Sequence, residues 1–476
     1  MRIGAKLFLF VLVFPLASKA SPEEAIVLQH VTVIDGTGAT PQLDQTVVIS
    51  GGRIRRVGPA SRVKPEGAAK VIDGQGKFLI PGLWDMHVHI AGVLADPAWS
   101  KNVLLPLLLA YGITGVRDMG GDLETLLAWK HDVELGKLRG PHIIAAGPWL
   151  AGGGKKSAEQ YPVANADEAR AAVRDLKKRG ADFIKIISLP SREAFFAVAD
   201  ECRKENMAFV GHLPVEVSAA EAAQAGMRSM EHLYYSNFAF SVSSKEEELR
   251  GEYIAARKSR DAAAIVKVDE EAIATYSAEK AAALYRTFKA NNTWIAPTLE
   301  GIFIVGHPLP LHFEKALLAF LPKSVTKDWE ASTEDPAAAA QIQELAKLSE
   351  NDWKLTREMH AAGVSLLAGS DSLDERAVPG ISLHLELGQL VKAGMTPMEA
   401  IQCATRGAAQ FLGMDQELGT VREGRRADLV LLNRDPSKEI ANSLSIEAVV
   451  FQGAYLDRAA LDRLLSDVRN AAALVK

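Results

Sequence analysis

Two histidines stand one residue apart at the end of an apolar segment. The stretch "FLIPGLWDMHVHI", residues 78–90, places His87 and His89 at positions i and i+2. Side chains with this spacing on a β-strand point to the same side, so the two imidazoles converge on one point. Imidazole is a common protein ligand for metal ions. The pair therefore suggests a metal site, although an HxH pattern also arises by chance and a lone buried histidine is more often a core residue.

Further groups with ligand chemistry occur in short apolar segments later in the chain. Lys185 lies in "FIKII", His212 ends "VGH", His232 ends "MEH" and Asp371 ends "AGSD". An ammonium group is costly in so apolar a strand, and burial lowers the pKa of a lysine. The neutral amine could act as a nucleophile, or it could bind carbon dioxide and become a carbamate, an anionic oxygen ligand. Imidazole and carboxylate oxygen suit zinc and related divalent metals.

The elements that must position these groups are short apolar strands that alternate with alanine-rich helical stretches. Eight strands alternating with helices are typical of a (β/α)8 TIM barrel, an α/β fold. The candidate ligands lie towards the C-terminal ends of predicted strands, on the side of a barrel that carries the active site. The predicted strands span residues 83–89, 112–120, 142–150, 181–187, 208–213, 229–234, 293–299 and 365–371.

The two ends of the chain have a different pattern, with short strands rich in valine and isoleucine between turn residues. We therefore predict a small discontinuous β-sandwich domain, formed by residues 21–80 and 415–476 and including a C-terminal helix, into which the barrel of residues 81–414 is inserted. Two connections, residues 240–291 and 307–362, are longer than barrel loops need to be. They rise from the catalytic face, either as a lid or as extra helices on the outside.

The start of the chain has the features of a secretory signal peptide. Residues 1–20 combine a basic start with an apolar run of about ten residues, too short for a bilayer that needs ~20. We expect an exported protein, periplasmic or secreted, without a stable membrane anchor; a retained N-terminal anchor is the alternative. The net charge of −5 and the lack of a long basic run argue against nucleic-acid binding. Assembly as a homo-oligomer is left open.

The cysteine content does not indicate a disulfide framework. The chain contains Cys202 and Cys403, both in alanine-rich segments that look helical. An exported protein could join them, but two cysteines do not form the dense set of bridges found in small secreted domains. We expect buried free thiols.

Several motifs together resemble the amidohydrolase superfamily, in the imidazolonepropionase-like branch that includes Xaa-Pro and Xaa-Arg dipeptidases. "VTVIDGTG", "LIPGLWDMHVH" and "GITGVRDMGG" resemble the opening of the family. "GADFIKI", "SMEHL" and "HAAGVSLLAGSDS" follow in family order, and "LGTVREGRRADLVLL" resembles its close. The likeness covers nearly all of the chain after the first twenty residues. Each motif alone is common, but the ordered set is specific.

This resemblance implies a site with two divalent metal ions, for which zinc is the expected metal. The ligands it implies are histidine and aspartate side chains: His87, His89 and Asp371 for the more buried ion, and His212 and His232 for the other. Lys185 would bridge both ions as a carbamate, together with a hydroxide. Relatives that lack this lysine tend to hold one metal, so its presence favours two.

The implied reaction is hydrolysis of an amide bond by a metal-activated hydroxide. Asp371 would act as general base and then as general acid, taking the proton of the hydroxide and delivering it to the leaving amine. A dipeptide or an N-acyl amino acid is the expected substrate. The alternatives are a cyclic amide or an ester-like xenobiotic on the same scaffold, and a non-catalytic binding protein, which the complete set of ligands argues against.

Residues for substrate recognition are less clearly marked. Arg117 in "GVRDMG" could pair with a substrate carboxylate through its planar guanidinium group, but an ion pair with Asp118 or another acid of the scaffold is at least an equal alternative. Tyr234 could hydrogen-bond the substrate. Asp85 has the same strand parity as His87, so it could orient an imidazole, cap a helix or fill a buried hydrogen-bonding role.

Overall fold

The computed structural model of the protein describes most of the chain after residue 24. The described residues are 25–64, 69–92, 96–187, 191–233, 237–306, 317–323, 326, 336–373 and 377–474. The predicted signal peptide, Tyr234 and part of the second long connection lie outside them. Within these ranges, no helix combines the length and the apolar character that a bilayer crossing needs.

The strands are short, and their bounds follow the apolar segments of the sequence closely. In chain order they are β1 (Ala25–Val33), β2 (Gln42–Ser50), β3 (Arg53–Pro59), β4 (Ala69–Asp73), β5 (Phe78–Pro81), β6 (Leu83–Val88), β7 (Ile113–Asp118), β8 (His142–Ala145), β9 (Trp149–Ala151), β10 (Gln160–Pro162), β11 (Ile184–Ile186), β12 (Phe209–Gly211), β13 (Ser229–Glu231), β14 (Trp294–Ala296), β15 (Leu429–Leu432), β16 (Ile446–Phe451) and β17 (Ala454–Leu456).

Strands from both ends of the chain form one eight-stranded sheet. Its order is β17-β16-β15-β5-β1-β2-β3, and β4 pairs with β1. β5 joins the two ends, since it lies parallel to β1 on one edge and antiparallel to β15 on the other. Leu28 and Val31 of β1, Val47 of β2 and Leu431 of β15 pack in one apolar cluster. β1 pairs with β2, β4 and β5, so the hydrogen-bonded network branches at this strand, and the β-sandwich stays a prediction.

The middle of the chain supplies the parallel strands. β6, β7 and β8 form one parallel sheet, and β9 to β14 form a second in the order β10-β9-β11-β12-β13-β14. Every residue of β6 and β7 is buried, as expected for parallel strands that are covered on both faces. Six of the eight predicted strands coincide with β6, β7, β11, β12, β13 and β14.

The other two predicted strands differ from the structure. Residues 142–150 split into β8 and β9, because Gly147 between them has a φ of 71° and turns the chain. β9 then pairs with β10 as well as β11. Residues 365–371 form a single isolated bridge, from Leu366 to Ile295, and the next residue, Ser372, bridges to Val88.

Hydrogen bonds link the edges of the two parallel sheets. Asp182 N, just before β11, donates to Ala145 O of β8 at 2.8 Å. Met86 N of β6 donates to Ala368 O at 2.9 Å, and the same segment of the chain bridges to β14 through Leu366. The C-terminal ends of these strands therefore face one common region.

Helices follow most of the parallel strands, and several begin at side chains that cap them. The Asn165 side chain accepts a hydrogen bond from Glu168 N, and the Ser191 side chain accepts one from Ala194 N. The α-helices are Pro97–Trp99, Leu105–Ala110, Leu123–Glu134, Ala166–Arg179, Arg192–Lys204, Ala219–Gln224, Asn237–Ser241, Glu246–Ser259, Ala262–Ala274, Ala278–Asn291, Leu299–Gly306, Pro336–Ala361, Ile381–Lys392, Pro397–Cys403, Arg406–Phe411 and Arg458–Leu474. The connection of residues 240–291 is thus helical, as expected.

The C-terminal helix, Arg458–Leu474, packs against the helix Leu105–Ala110. Its Leu461 and Val468 belong to the same apolar core as the parallel strands. This end of the chain is therefore tied to the inserted segment as well as to the eight-stranded sheet.

Both cysteines are free and buried, which confirms the expectation from the sequence. Burial raises the pKa of the Cys202 thiol and of the Cys403 thiol to about 12. Because the thiolate is the reactive form, both side chains behave as small apolar core residues at neutral pH.

Candidate metal centre

His87 lies near the C-terminal end of β6 and is completely buried. Its Nδ1 lies 3.0 Å from Glu231 Oε2. An ionised carboxylate can only accept, so Nδ1 carries the proton and donates it, which leaves the lone pair of Nε2 free to bind a cation. Nε2 lies 3.3 Å from Asp371 Oδ1. Burial lowers the pKa of His87 to about 4, so the imidazole has the neutral form that binds metals.

Glu231 is a site residue that the sequence analysis missed. Arg117 Nη2 donates to both of its oxygens, at 3.0 Å to Oε1 and 2.9 Å to Oε2, and the Ser229 hydroxyl donates to Oε1. Burial alone would raise the pKa of Glu231, but the Arg117 charge and the His87 hydrogen bond hold it well below its usual range. Glu231 is therefore an anion, and it fixes the orientation of His87. The sequence feature that could have identified Glu231 is a glutamate inside an apolar strand, directly before the candidate ligand His232.

Arg117 does not lie where it could bind a substrate carboxylate, so that prediction is wrong. Its side chain is fully buried. Nε donates to Met86 O at 2.5 Å, Nη1 donates to Ser229 Oγ at 2.9 Å, and Nη2 holds Glu231. The alternative, an ion pair with an acid of the scaffold, is confirmed, with Glu231 as the partner. Asp118 instead accepts hydrogen bonds from Ile90 N and Gly120 N, next to the second histidine.

His89 lies beside His87, as the i, i+2 spacing requires. The two ring centroids are 5.5 Å apart. Nδ1 lies 3.1 Å from Gly120 O, a carbonyl that can only accept, so Nδ1 donates and Nε2 faces Asp371. Burial would lower the pKa of His89, but the hydrogen bond and the charge of Asp371 raise it. Nε2 lies 3.4 Å from Asp371 Oδ1. The His89 side chain is 22% exposed, so it marks the side of the site that opens to solvent.

His232 follows β13 and is held by a hydroxyl group. Its Nδ1 lies 2.5 Å from Thr298 Oγ1, and that hydroxyl donates its own hydrogen to Pro297 O at 2.8 Å. Thr298 must therefore accept from Nδ1, which leaves Nε2 of His232 facing Asp371 Oδ2 at 3.6 Å. Burial lowers the pKa of His232 to about 3, so this imidazole is also neutral.

Asp371 is the point on which these imidazoles converge. Its carboxylate lies within 3.6 Å of His87, His89 and His232. Burial would raise its pKa, but the facing imidazoles hold that pKa well below its usual range. Asp371 is therefore ionised and can serve either as a ligand or as a proton acceptor.

The backbone at these positions adopts conformations that are rare for residues other than glycine. His232, Thr298 and Asp371 have φ values of 63°, 48° and 55°. Such left-handed residues cost energy and cluster at functional sites. Each lies just beyond a strand or a bridged segment, where the turn directs its side chain towards the common centre.

Lys185 lies in β11 with only 1% of its surface exposed. Among the described residues, no group hydrogen-bonds its Nζ. Burial lowers the pKa of the amine to about 8, and the charge of Arg117 also lowers it, whereas Glu231 and Asp371 act in the opposite direction. A minority of molecules therefore carry the unprotonated amine near neutral pH. A surface location with the ammonium in solvent is ruled out.

His212 follows β12 and joins the same group. Its ring centroid lies 4.9 Å from that of His232, at an interplanar angle of 84°. Burial holds the pKa of His212 well below its ordinary value, and the Lys185 charge adds to this. All six predicted ligand residues thus lie in one region, at the C-terminal ends of the parallel strands.

Asp85 supports the loop that carries Asp371. Its Oδ1 accepts from Ser370 N at 2.9 Å, and its Oδ2 accepts from the Ser370 hydroxyl at 2.6 Å. Burial raises the pKa of Asp85 to about 7. Of the three roles left open for Asp85, the structure supports the buried hydrogen-bonding role, since both of its oxygens accept from Ser370.

The arrangement suits a cation. Within the described residues, the buried atoms without a hydrogen bond include His87 Nε2, Lys185 Nζ and Asp371 Oδ1. Ligand atoms of His87, His232 and Asp371 all lie within 4.8 Å of one another. A buried lone pair without a partner is costly, and a divalent metal would satisfy several at once. Neutral imidazoles with an ionised carboxylate form the donor set that zinc and its neighbours prefer.

Comparisons with known proteins agree with this geometry. Residues 78–455 match the amidohydrolase family. The chain is 24% identical over 419 residues to an ochratoxinase from Aspergillus niger, which covers 76% of this chain and 71% of that one. It is 25% identical over 429 residues to an imidazolonepropionase from Symbiobacterium thermophilum, and this match covers 85% of this chain and 88% of that one.

A crystal structure with the same fold is that of a Xaa-Pro dipeptidase with methionine bound in its active site. It superposes with a TM-score of 0.67 at 22% identity, over 91% of this chain and 100% of that one. Together, the match over residues 78–455 and the converging ligands confirm the resemblance inferred from the motifs. The chain belongs to the amidohydrolase family and is a hydrolase that acts on carbon–nitrogen bonds.

Proposed function

We propose that the protein hydrolyses the amide bond of a dipeptide or an N-acyl amino acid and that it uses two divalent metal ions, with zinc as the expected metal. The observation that carries the proposal is the convergence of buried, unpaired ligand atoms around Asp371, within the described residues. A non-catalytic binding protein is the alternative, but it would not require buried polar atoms without hydrogen-bond partners, which cost free energy.

The six ligand residues divide into two sets around a shared centre. The ligands of the first ion would be His87, His89 and Asp371, and those of the second would be His212 and His232. Lys185 would bridge the two ions as a carbamate. Its pKa, lowered to about 8, supports this assignment, because only the unprotonated form reacts with carbon dioxide and that form is far more accessible than in an ordinary lysine.

Bound metal ions would supply Lewis acidity and a water molecule of lowered pKa. The protein side chains would then position the reactants and move the protons. Asp371 is ionised and faces the imidazoles within 3.6 Å, so it would accept the proton of the attacking water and deliver it to the leaving amine. Glu231 and Thr298 would keep His87 and His232 in the tautomer whose Nε2 faces the centre.

The fold around the site is consistent with a closed (β/α)8 barrel. The hydrogen bonds of Asp182 with Ala145 and of Met86 with Ala368 connect the two parallel sheets at both edges. We propose that these links close an eight-stranded barrel in which residues 366–372 take the place of the eighth strand. The barrel would be inserted into the eight-stranded sheet, with the boundaries at residues 80 and 414 that the sequence predicts.

The proposal extends to the location of the protein. Residues 1–20 have the composition of a signal peptide, so we propose export to the periplasm or the medium. Mass spectrometry of the mature chain from the native host tests this directly. A chain that begins near residue 21 is expected, and an intact residue 1 would contradict export by this route.

A substrate screen tests the reaction itself. Metal-loaded protein is offered a library of dipeptides and N-acyl amino acids, and amine release is measured. Ochratoxin and imidazolone-type cyclic amides are included, because relatives named ochratoxinase and imidazolonepropionase match most of the chain. We expect turnover of dipeptides or N-acyl amino acids that is abolished by Asp371→Asn. Turnover restricted to the cyclic amide or the xenobiotic would favour that alternative instead.

A further inference from the structure

We propose that Glu159 and Trp149 form a subsite that binds a cationic group of the substrate beside the metal centre. This inference rests on the proposed function, and it narrows the substrate class to amides that carry an ammonium or guanidinium group near the bond that is cleaved. The subsite lies on the open side of the site, next to His89.

Glu159 is held close to the metal ligands by the pairing of β9 with the residues before β10. Trp149 N donates to Glu159 O at 2.7 Å, and only 7% of the surface of Glu159 is exposed. Its carboxylate lies against the loop that follows β6: a Cβ atom on Gly92 would meet Glu159 Oε1 at 2.7 Å and His89 Cβ at 3.7 Å. The carboxylate is therefore a close neighbour of a candidate ligand, although it lies far along the chain.

The charge of Glu159 lacks a cationic partner other than an imidazole. In the part of the chain that the structure describes, the charged groups that act on it are His89, which attracts it, and Asp118, which repels it. The nearby Lys156 does not neutralise it, because its Nζ lies over the Tyr161 ring at 4.2 Å from the centroid. A buried carboxylate without a lysine or arginine partner is stabilised when a substrate places a positive charge beside it.

Trp149 adds a second group that attracts cations. Its ring lies 5.9 Å from that of His89 at an interplanar angle of 88°. It packs over Gly120, where a Cβ atom would meet Trp149 Cε3 at 2.1 Å. The face of an indole attracts ammonium and guanidinium groups. Both groups are therefore close to His89, the indole through the two rings and the carboxylate through the loop at Gly92.

This position fits the geometry of a dipeptide. The α-ammonium group of a dipeptide is separated from the scissile carbonyl carbon by a single carbon atom, so a carboxylate beside the metal centre can reach it. An N-acyl amino acid has no such charge. A basic side chain on the N-terminal residue is the other source of a cation with the same chemistry.

The two sources are separated by four substrates that share the C-terminal residue selected in the library screen. They carry alanine, N-acetylalanine, lysine or norleucine at the N-terminal position. The first pair differs in the α-ammonium charge, and the second differs in the side-chain charge at nearly equal length. Steady-state KM and kcat are measured for the wild type, Glu159→Gln, Glu159→Asp and a control, Glu439→Gln, which removes an exposed carboxylate elsewhere.

We expect Glu159→Gln to raise KM about tenfold or more for every substrate that carries the recognised cation and to change KM little for those that lack it. Glu159→Asp should retain part of the preference, and Glu439→Gln should retain all of it. A loss of preference in the alanine pair identifies the α-ammonium, and a loss only in the second pair identifies the side chain. Equal effects on all four substrates, or no effect on any, would overturn the subsite.

A binding measurement separates this inference from the proposed function. Titration calorimetry uses a ketomethylene analogue of the alanyl dipeptide, in which CH2 replaces the amide NH, and its N-acetyl derivative. The wild type should bind the free amine more tightly, and Glu159→Gln should bind both alike. If none of the four substrates is cleaved, the proposed function fails. The subsite then stands if the preference of the wild type for the free amine depends on Glu159, and falls if it does not.

Discussion

Arg117 holds Glu231 through both carboxylate oxygens, at 3.0 and 2.9 Å, and Glu231 in turn lies 3.0 Å from His87 Nδ1. All of these side chains are fully buried or nearly so. Arg117 thus acts on the candidate metal centre indirectly. Its charge stabilises the ionised Glu231, and Glu231 in turn fixes the tautomer of His87. Arg117 is therefore a positioning residue rather than a group that contacts substrate.

Replacing Arg117 with methionine should destabilise the protein strongly. The change leaves Glu231 buried without its counter-ion, and breaking a buried pair in this way costs about 3–5 kcal/mol. Urea unfolding of the metal-free protein measures the change, with the exposed Arg434→Met as the control. The double variant Arg117→Met/Glu231→Leu should recover part of the loss. If the main effect of Arg117→Met were a higher KM at unchanged stability, a role in substrate binding would be restored.

Glu231→Gln should weaken metal binding and, because it leaves the buried Arg117 without its counter-ion, should also lower the stability of the fold. The amide cannot carry the charge that keeps the proton on Nδ1 of His87, and loss of such a partner typically costs about 10–100-fold in metal affinity. Competition with a chelator measures the affinity. An unchanged affinity would show that the Glu231–His87 contact does not govern the tautomer.

Lys185→Gln should lower the metal content from about two equivalents to about one, because the bridging anion is lost. Wild-type protein reconstituted with metal in buffer free of carbon dioxide should show the same deficit, and added bicarbonate should correct it. The bicarbonate effect should be absent in Lys185→Gln. A wild type that takes up two equivalents equally well without carbon dioxide would contradict the carbamate.

His142 should contribute stability that depends on pH. It lies between Glu134 and Asp428, at 2.7 and 3.1 Å, and joins the helix Leu123–Glu134 to the segment that leads into β15. Burial would lower its pKa, but these two carboxylates raise it to about 9. A raised pKa means that the charged form stabilises the folded state fully below the unfolded value near 6.5, and that this contribution disappears as the pH rises through about 9.

The test compares unfolding free energies of the wild type and His142→Asn at pH 6 and pH 9.5. The variant should be less stable by about 3 kcal/mol at pH 6, with the difference shrinking towards pH 9.5. His131→Asn, at an exposed histidine, is the control and should show no such trend. A difference that grows with pH would reverse the sign of the linkage and contradict a protonated His142.

The sequence located the candidate ligand residues because strand periodicity is a local pattern and because a barrel gathers the C-terminal ends of its strands on one side. His87 and His89 follow from the alternation of side chains along a single strand, and Asp371 follows from the rule that active sites lie beyond the C-terminal ends of the strands. The alternation of apolar strands and helices likewise located six of the parallel strands.

The partners of those ligands could not be read from the sequence in the same way. Glu231 and Arg117 lie 114 positions apart, and their pairing depends on which strands are neighbours. Thr298 accepts from His232 only because it adopts a left-handed conformation two positions beyond the end of β14, and no periodicity signals such a conformation. The one-sheet form of the β-domain depends in the same way on long-range pairing, between β5 and β15.

The measurement that tests the central claim most directly is the metal content of the purified protein after reconstitution with zinc, determined by elemental analysis. The convergence of His87, His89, Lys185, His212, His232 and Asp371 predicts close to two equivalents per chain in the wild type, and a marked loss in a His87→Ala/His232→Ala double variant that remains folded. Less than about 0.2 equivalents in folded, zinc-supplemented wild type would contradict the account.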